Sequence, residues 1–117
     1  MVVLRGEICL VDLDPVRGSE ANKRRPAVIV SNDGANSTAT RLGRGIVTVV
    51  PVTSNVERVY PFQVLLAARQ TGLSRDSKAQ AEQVRSIAVE RVGRRMGQLS
   101  PSLMAQLDDA LRLHLGL

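Results

Sequence analysis

The sequence predicts a small α+β domain, a curled and mostly antiparallel sheet closed by one terminal helix. Three observations carry that expectation. Short apolar runs rich in β-branched residues recur along most of the chain, each cut by Gly, Pro or Asn. The last segment instead repeats its apolar positions at helical spacing between a capping Ser and a Gly. The length, 117 residues, suits one domain spanning 1–117 with its own core, and not two.

Glu7 to Leu13 is short and mostly apolar and reads as a buried strand. Asp14-Pro15-Val16-Arg17-Gly18 breaks it, and a polar, cationic loop runs on to Arg25. The residue before a proline is excluded from the right-handed helical region, so Arg25 is expected to be extended. Pro26 has no N–H and belongs at the first residue of a strand or on an edge; the strand is expected over Ala27 to Val30. Asn32 to Gly45, with Gly34, Gly43 and Gly45, reads as a mobile loop carrying Arg41 and Arg44. Ile46 to Val50 is the strongest strand signal and is expected to end at Pro51-Val52-Thr53-Ser54-Asn55. Phe62 to Leu66 is a further short strand, and Gly72 to Ser77 a turn. Lys78 to Ile87 favours helix by propensity alone. Gly93 and Gly97 punctuate the next piece. In the final helix Ser100 caps, Pro101 takes the first helical position and Gly116 marks the exit. Leu103, Leu107, Ala110, Leu111 and His114 share one face.

Net charge is +5, carried almost wholly by Arg; Lys23 and Lys78 are the only lysines. That balance favours a phosphate-bearing or acidic partner. Cys9 is alone, so no internal disulfide can form, and a reducing compartment fits. No apolar run approaches the roughly 18 residues of a membrane span, and no export signal opens the chain, so a cytoplasmic location away from membranes is expected. Tyr60 and Phe62 are the whole aromatic set, which leaves little room for base stacking. One Cys and one His far apart form no metal-ligand cluster, and neither a metal nor a cofactor is expected. His114 cannot be half of an imidazole acid–base pair. It reads as a hydrogen-bonded packing histidine near the core or a dimer interface.

Several motifs stand in order along the chain: Arg5-Gly6-Glu7, Asp12-Leu13-Asp14-Pro15, Gly18-Ser19-Glu20, Arg25-Pro26, Pro51-Val52-Thr53-Ser54, Tyr60-Pro61-Phe62, Arg75-Asp76-Ser77 and Glu82-Gln83-Val84-Arg85. Each is weak alone; as a series at this spacing, running nearly the whole length, the chain resembles the MazF/PemK/Kid family of ribonuclease toxins. The resemblance implies a compact SH3-like β-barrel with a C-terminal helix, acting as a homodimer. It implies metal-independent, sequence-specific cleavage of single-stranded RNA and restraint by a cognate antitoxin. It also makes Lys78 to Ile87 a strand, which we adopt over propensity. Ile8 and Cys9 depart from relatives that often place an aromatic in the first strand, and Arg24 from members with other polar residues there.

RNA brings its own nucleophile, the 2′-hydroxyl. Attack on the adjacent phosphorus leaves a 2′,3′-cyclic phosphate and a 5′-hydroxyl. Position alone makes Arg25 as much a surface arginine at a strand entrance as a catalytic group. The resemblance assigns it to the developing phosphorane charge, where a guanidinium can donate two hydrogen bonds. It puts Thr53 in the same site; otherwise Thr-Ser-Asn is simply good turn chemistry. Arg25 is ill-suited to be the base. Glu20 is the candidate proton acceptor or orienter, and Asp76 a second, read in preference as an ion-pair partner of an arginine. Arg17, Lys23, Arg24, Ser54, Asp76, Ser77 and Gln83 are the expected RNA contacts, with Arg41, Arg44 and Arg58 adding to a salt-sensitive surface. Two other readings stay open: a non-catalytic toxin of this fold acting on a protein such as DNA gyrase, and a plain RNA-binding module.

Overall fold

The computed structural model describes residues 2–117. The chain runs β1 (Glu7–Asp12), β2 (Arg24–Ile29), α1 (Asp33–Leu42), β3 (Ile46–Thr53), β4 (Gln63–Leu66), α2 (Ala68–Thr71), β5 (Ser77–Gln80), β6 (Arg85–Ala88), β7 (Val92–Gln98) and α3 (Pro101–Leu115). Single 3₁₀ turns at Ala81–Gln83 and Val89–Arg91 link β5 to β6 and β6 to β7. All strand pairs are antiparallel, in the order β4-β5-β3-β2-β1-β7, with β6 added on β3. The α+β class, the curled antiparallel sheet and the C-terminal helix are as the sequence predicts.

The central strands are apolar on both faces because both are covered. Alternation then sorts their side chains between two cores. Cys9, Val11, Ala27, Ile29, Val47 and Val49 pack with Ala39 of α1 and Ile87 of β6. Ile8, Val28, Val50 and Val52 pack with β4, β5 and the Leu103, Leu107 and Ala110 stripe of α3. In α3, Ser100 accepts from the Leu103 N–H, Pro101 opens the helix and Gly116 closes it in the left-handed region.

Four expectations are corrected. Asn32 to Gly45 is not a mobile loop: it holds α1. Asn32 caps the Ala35 N–H, and Gly43 ends the helix at φ 64°. Ser, Thr, Asn and Gly lower the propensity of this segment, but Thr38 and Thr40 turn their hydroxyls onto the Gly34 and Asn36 carbonyls and Asn36 is buried against Ser31. The second concerns β3, which does not stop at Val50 but runs through Pro51 to Thr53. Its early residues pair with β6 and its last two with β5, so Val50 and Pro51 have only β2 as a ladder partner, and a residue without an N–H is tolerated between the two pairings. Likewise Pro26 is the third residue of β2, at a point where β2 is paired with β1 and not yet with β3. Third, Lys78 to Ile87 is neither one helix nor one strand; it is β5 and β6 separated by a 3₁₀ turn. Fourth, His114 is exposed, its ring tilted 6.4 Å from Phe62 rather than hydrogen-bonded in the core.

β7, which the glycine spacing left unassigned, is a strand whose glycines admit close approach. A Cβ at Gly97 would collide with the Thr71 carbonyl oxygen.

Candidate active site

β2 and β3 pair at Ala27–Pro51, Val28–Val50 and Ile29–Val49. Extended past its last pair, that register brings Thr53 opposite Arg25. β3 pairs with β5 at Val52–Ala79 and Thr53–Lys78, and the same extension brings Ser54 opposite Ser77. The strand ends therefore splay around one opening. There, a cleft of about 340 Å³ is lined by Lys23, Arg24, Arg25 and Pro26 from one side and Val52, Thr53 and Ser54 from the floor. Leu73, Ser74, Arg75, Ser77 and Met96 close the other side. Four of the lining residues are cationic. Among the described residues no carboxylate and no imidazole lines the cleft.

Arg25 is half-buried and fixed from one edge. Its Nε donates to the Asn22 carbonyl at 2.7 Å and its Nη2 to Asn22 Oδ1 at 3.1 Å. The β1–β2 loop that carries Asn22 is tied at three levels. At its base the Leu13 N–H donates to the Lys23 carbonyl (3.1 Å) and the Lys23 N–H to Asp14 Oδ1 (3.0 Å). In its middle, Gln83 accepts from the Ala21 N–H at 2.9 Å and donates to the Ser19 carbonyl at 3.0 Å. At its tip, Glu20 accepts from the Arg17 N–H at 3.0 Å, closing a turn. Lys23 sits at φ 65°, a left-handed conformation that costs a non-glycine residue about 1 kcal/mol.

The expected site residues divide accordingly. Arg25 and Thr53 come together, with Lys23, Arg24, Ser54 and Ser77 beside them. Glu20 is not brought to the cleft as a proton acceptor; its carboxylate is exposed and engaged with the loop backbone. Gln83, expected as an RNA contact, has both ends of its side-chain amide engaged with the β1–β2 loop. Asp76 does not pair with an arginine; it accepts from the Ala68 N–H at 2.8 Å and caps α2. Arg17 lies on the exposed loop turn. Arg41 and Arg44 lie at the end of α1, and Arg58 covers Tyr60, all outside the cleft lining. Ser74, Arg75, Leu73 and Met96 were not anticipated as site residues. Leu73, Ser74 and Arg75 belong to the turn that opens at Gly72 and Met96 to β7, and only the tertiary fold brings both towards Arg25.

Cys9 adds no nucleophile. It is buried, and desolvation with the nearby Glu7 charge pushes its thiol up from 9.0 to about 11. Glu7 is itself engaged, accepting from the Leu4 N–H at 2.7 Å and pairing with Arg95 at 3.3 Å. Among the described residues the one buried ammonium, that of Lys78, donates to the Arg58 carbonyl at 2.5 Å and pins the segment between β3 and β4.

This sequence matches the family described as PemK-like, MazF-like toxin of type II toxin–antitoxin systems, over residues 4–115. It is 70% identical over 113 residues to the endoribonuclease MazF9 of Mycobacterium tuberculosis, covering 97% of this chain and 96% of that protein. The fold superposes on MazF from Deinococcus radiodurans with a TM-score of 0.82 at 26% identity, covering 100% of this chain and 99% of that one. It also superposes on a mycobacterial endoribonuclease solved in complex with its cognate antitoxin, with a TM-score of 0.74 at 25% identity, over 98% and 96% of the two chains. No helix among the described residues is long and apolar enough to cross a membrane.

Proposed function

The chain belongs to the PemK-like, MazF-like toxin family of type II toxin–antitoxin systems, and from that premise we propose that it is a sequence-specific endoribonuclease acting on single-stranded RNA. One observation carries the reading: the β2–β3 register sets Arg25 and Thr53 at the mouth of a single cleft ringed by Lys23, Arg24 and Arg75. The cleft supplies positive charge and hydroxyls and no acidic or imidazole side chain, a set suited to a reaction whose nucleophile belongs to the substrate.

In this reading the RNA 2′-hydroxyl attacks the adjacent phosphorus. Arg25 donates to the non-bridging oxygens as the phosphorane gains charge, and the Thr53 hydroxyl donates a further hydrogen bond there. Catalysis then rests on charge stabilisation. Water in the open cleft takes the 2′-hydroxyl proton and returns one to the departing 5′-oxygen, leaving a 2′,3′-cyclic phosphate and a 5′-hydroxyl. Lys23, Arg24 and Arg75 hold the flanking backbone, and Leu73 and Met96 offer an apolar wall to a base. The protein acts as one cytoplasmic domain within a homodimer. Its partner is a cognate antitoxin, whose acidic, partly disordered segment silences it by covering the basic cleft.

The test is to sequence 5′-hydroxyl RNA ends after induced expression, beside a purified reaction containing EDTA. Cuts clustered at one short motif, absent with Arg25→Ala, are expected. Growth arrest with intact RNA would overturn the reading.

A further inference from the structure

We propose that Asn22 is a positioning residue for Arg25, holding one edge of the guanidinium so that the opposite end faces the scissile phosphate. The inference rests on the endoribonuclease reading above. A guanidinium offers its donors in two in-plane forks, the Nε/Nη2 edge and the Nη1/Nη2 end. Asn22 occupies the first fork twice over, with its carbonyl on Nε and its Oδ1 on Nη2. The end fork is left for a pair of phosphoryl oxygens. Both acceptors are uncharged, so the cation is oriented without being neutralised, which preserves its field for the phosphorane. A long side chain held in this way has lost much of its rotamer freedom before substrate arrives.

Asn22 is itself a fixed point. The residue before it, Ala21, is tied to Gln83 from the turn between β5 and β6, and the residue after it, Lys23, to Asp14 and Leu13 just past β1. The strained φ of Lys23 directs the chain from this anchored loop into β2, so Asn22 stays beneath the Arg25 side chain. Nothing in the sequence marks Asn22 out; a small polar residue in a polar loop has no pattern.

The test uses the purified full chain and a short single-stranded RNA carrying the motif mapped from the 5′-hydroxyl ends, with and without sulfur at a non-bridging oxygen of the scissile phosphate. Asn22→Ala is expected to lower kcat about tenfold with KM within about twofold, the thermal midpoint staying unchanged. The rate penalty for the sulfur substitution should shrink in Asn22→Ala, because a guanidinium left with only the backbone carbonyl on Nε can pivot and no longer depends on both oxygens. Asn22→Ser, too short to reach Nη2, should behave alike, and it replaces the Ala variant if that one loses the loop. Cleavage by the wild type together with an unchanged kcat, a loss confined to KM, or an unchanged sulfur penalty overturns this inference alone. Absence of cleavage by the wild type overturns the endoribonuclease reading and this inference with it.

Discussion

Arg25 and Arg5 stand at opposite ends of β2, and the structure treats them differently. Arg5 donates through Nε to the Val30 carbonyl at 2.9 Å, and its Nη2 meets Asp108 of α3 at 2.5 Å. Its own N–H reaches Asp33 at 2.6 Å. Arg5 thus fastens the chain start to the end of β2, to α1 and to α3, and a carboxylate answers its charge. Arg25 is also held by two hydrogen bonds, but only to the oxygens of Asn22, and the cleft it faces contains further cations. An arginine that serves the fold is neutralised where it stands. An arginine that serves a phosphate is oriented by neutral groups, and its charge waits for the ligand.

The contrast can be broken by substitution. The largest effect is expected at Arg25→Ala: cleavage falls about 10³-fold, near 4 kcal/mol of barrier, with the melting midpoint unchanged. A matching loss of folding stability would erase the distinction. Thr53→Ala, which removes one hydroxyl donor and leaves the strand, should lower cleavage about thirtyfold, or about 2 kcal/mol; kinetics at saturating RNA would measure it. Arg5→Ala should do the opposite of Arg25→Ala. Urea titration is expected to register about 1–2 kcal/mol lost, restrained by the partial exposure of the pair, while each folded molecule keeps its activity. The smallest effect is at Lys23→Gly. Relief of the left-handed conformation should raise stability by about 0.5 kcal/mol, and loss of a cleft cation should make RNA binding less salt-sensitive, by about 1 in the log–log slope.

The elements that could be read directly are those whose signals lie within a few residues. α3 carries its cap, its first-position proline, its apolar stripe and its terminal glycine in one stretch. β1 and the start of β3 are short runs that only burial on both faces would explain. α1 shows how local signals can be outweighed: Asn32, Asp33 and Gly43 are proper helix ends, yet the Ser, Thr, Asn and Gly between and around them read as loop. The hydroxyls that ordinarily compete with a helix are satisfied here on its own carbonyls.

At the site, the proline after Arg25 and the cations before it left it as much a surface arginine as a catalytic one; the resemblance of the ordered motifs made it legible. Glu20 and Asp76 were legible only as polar residues in loops and Gln83 only as a polar residue of the expected Lys78 to Ile87 strand, which says nothing about what each would bond. Their partners are Arg17, the Ser19–Ala21 peptides and Ala68. The Gln83 contacts join residues separated by 62 and 64 positions, a distance no local pattern spans.

By itself the sequence determined the α+β class, the terminal helix, the cationic character of the surface and the absence of a histidine pair, because composition and short-range periodicity carry those properties. Only the tertiary structure decided that Thr53 faces Arg25, that Arg75 and Met96 complete the cleft, and that Asn22 orients the guanidinium. Those depend on strand register and loop closure, which are fixed when two separate cores pack against opposite faces of one sheet.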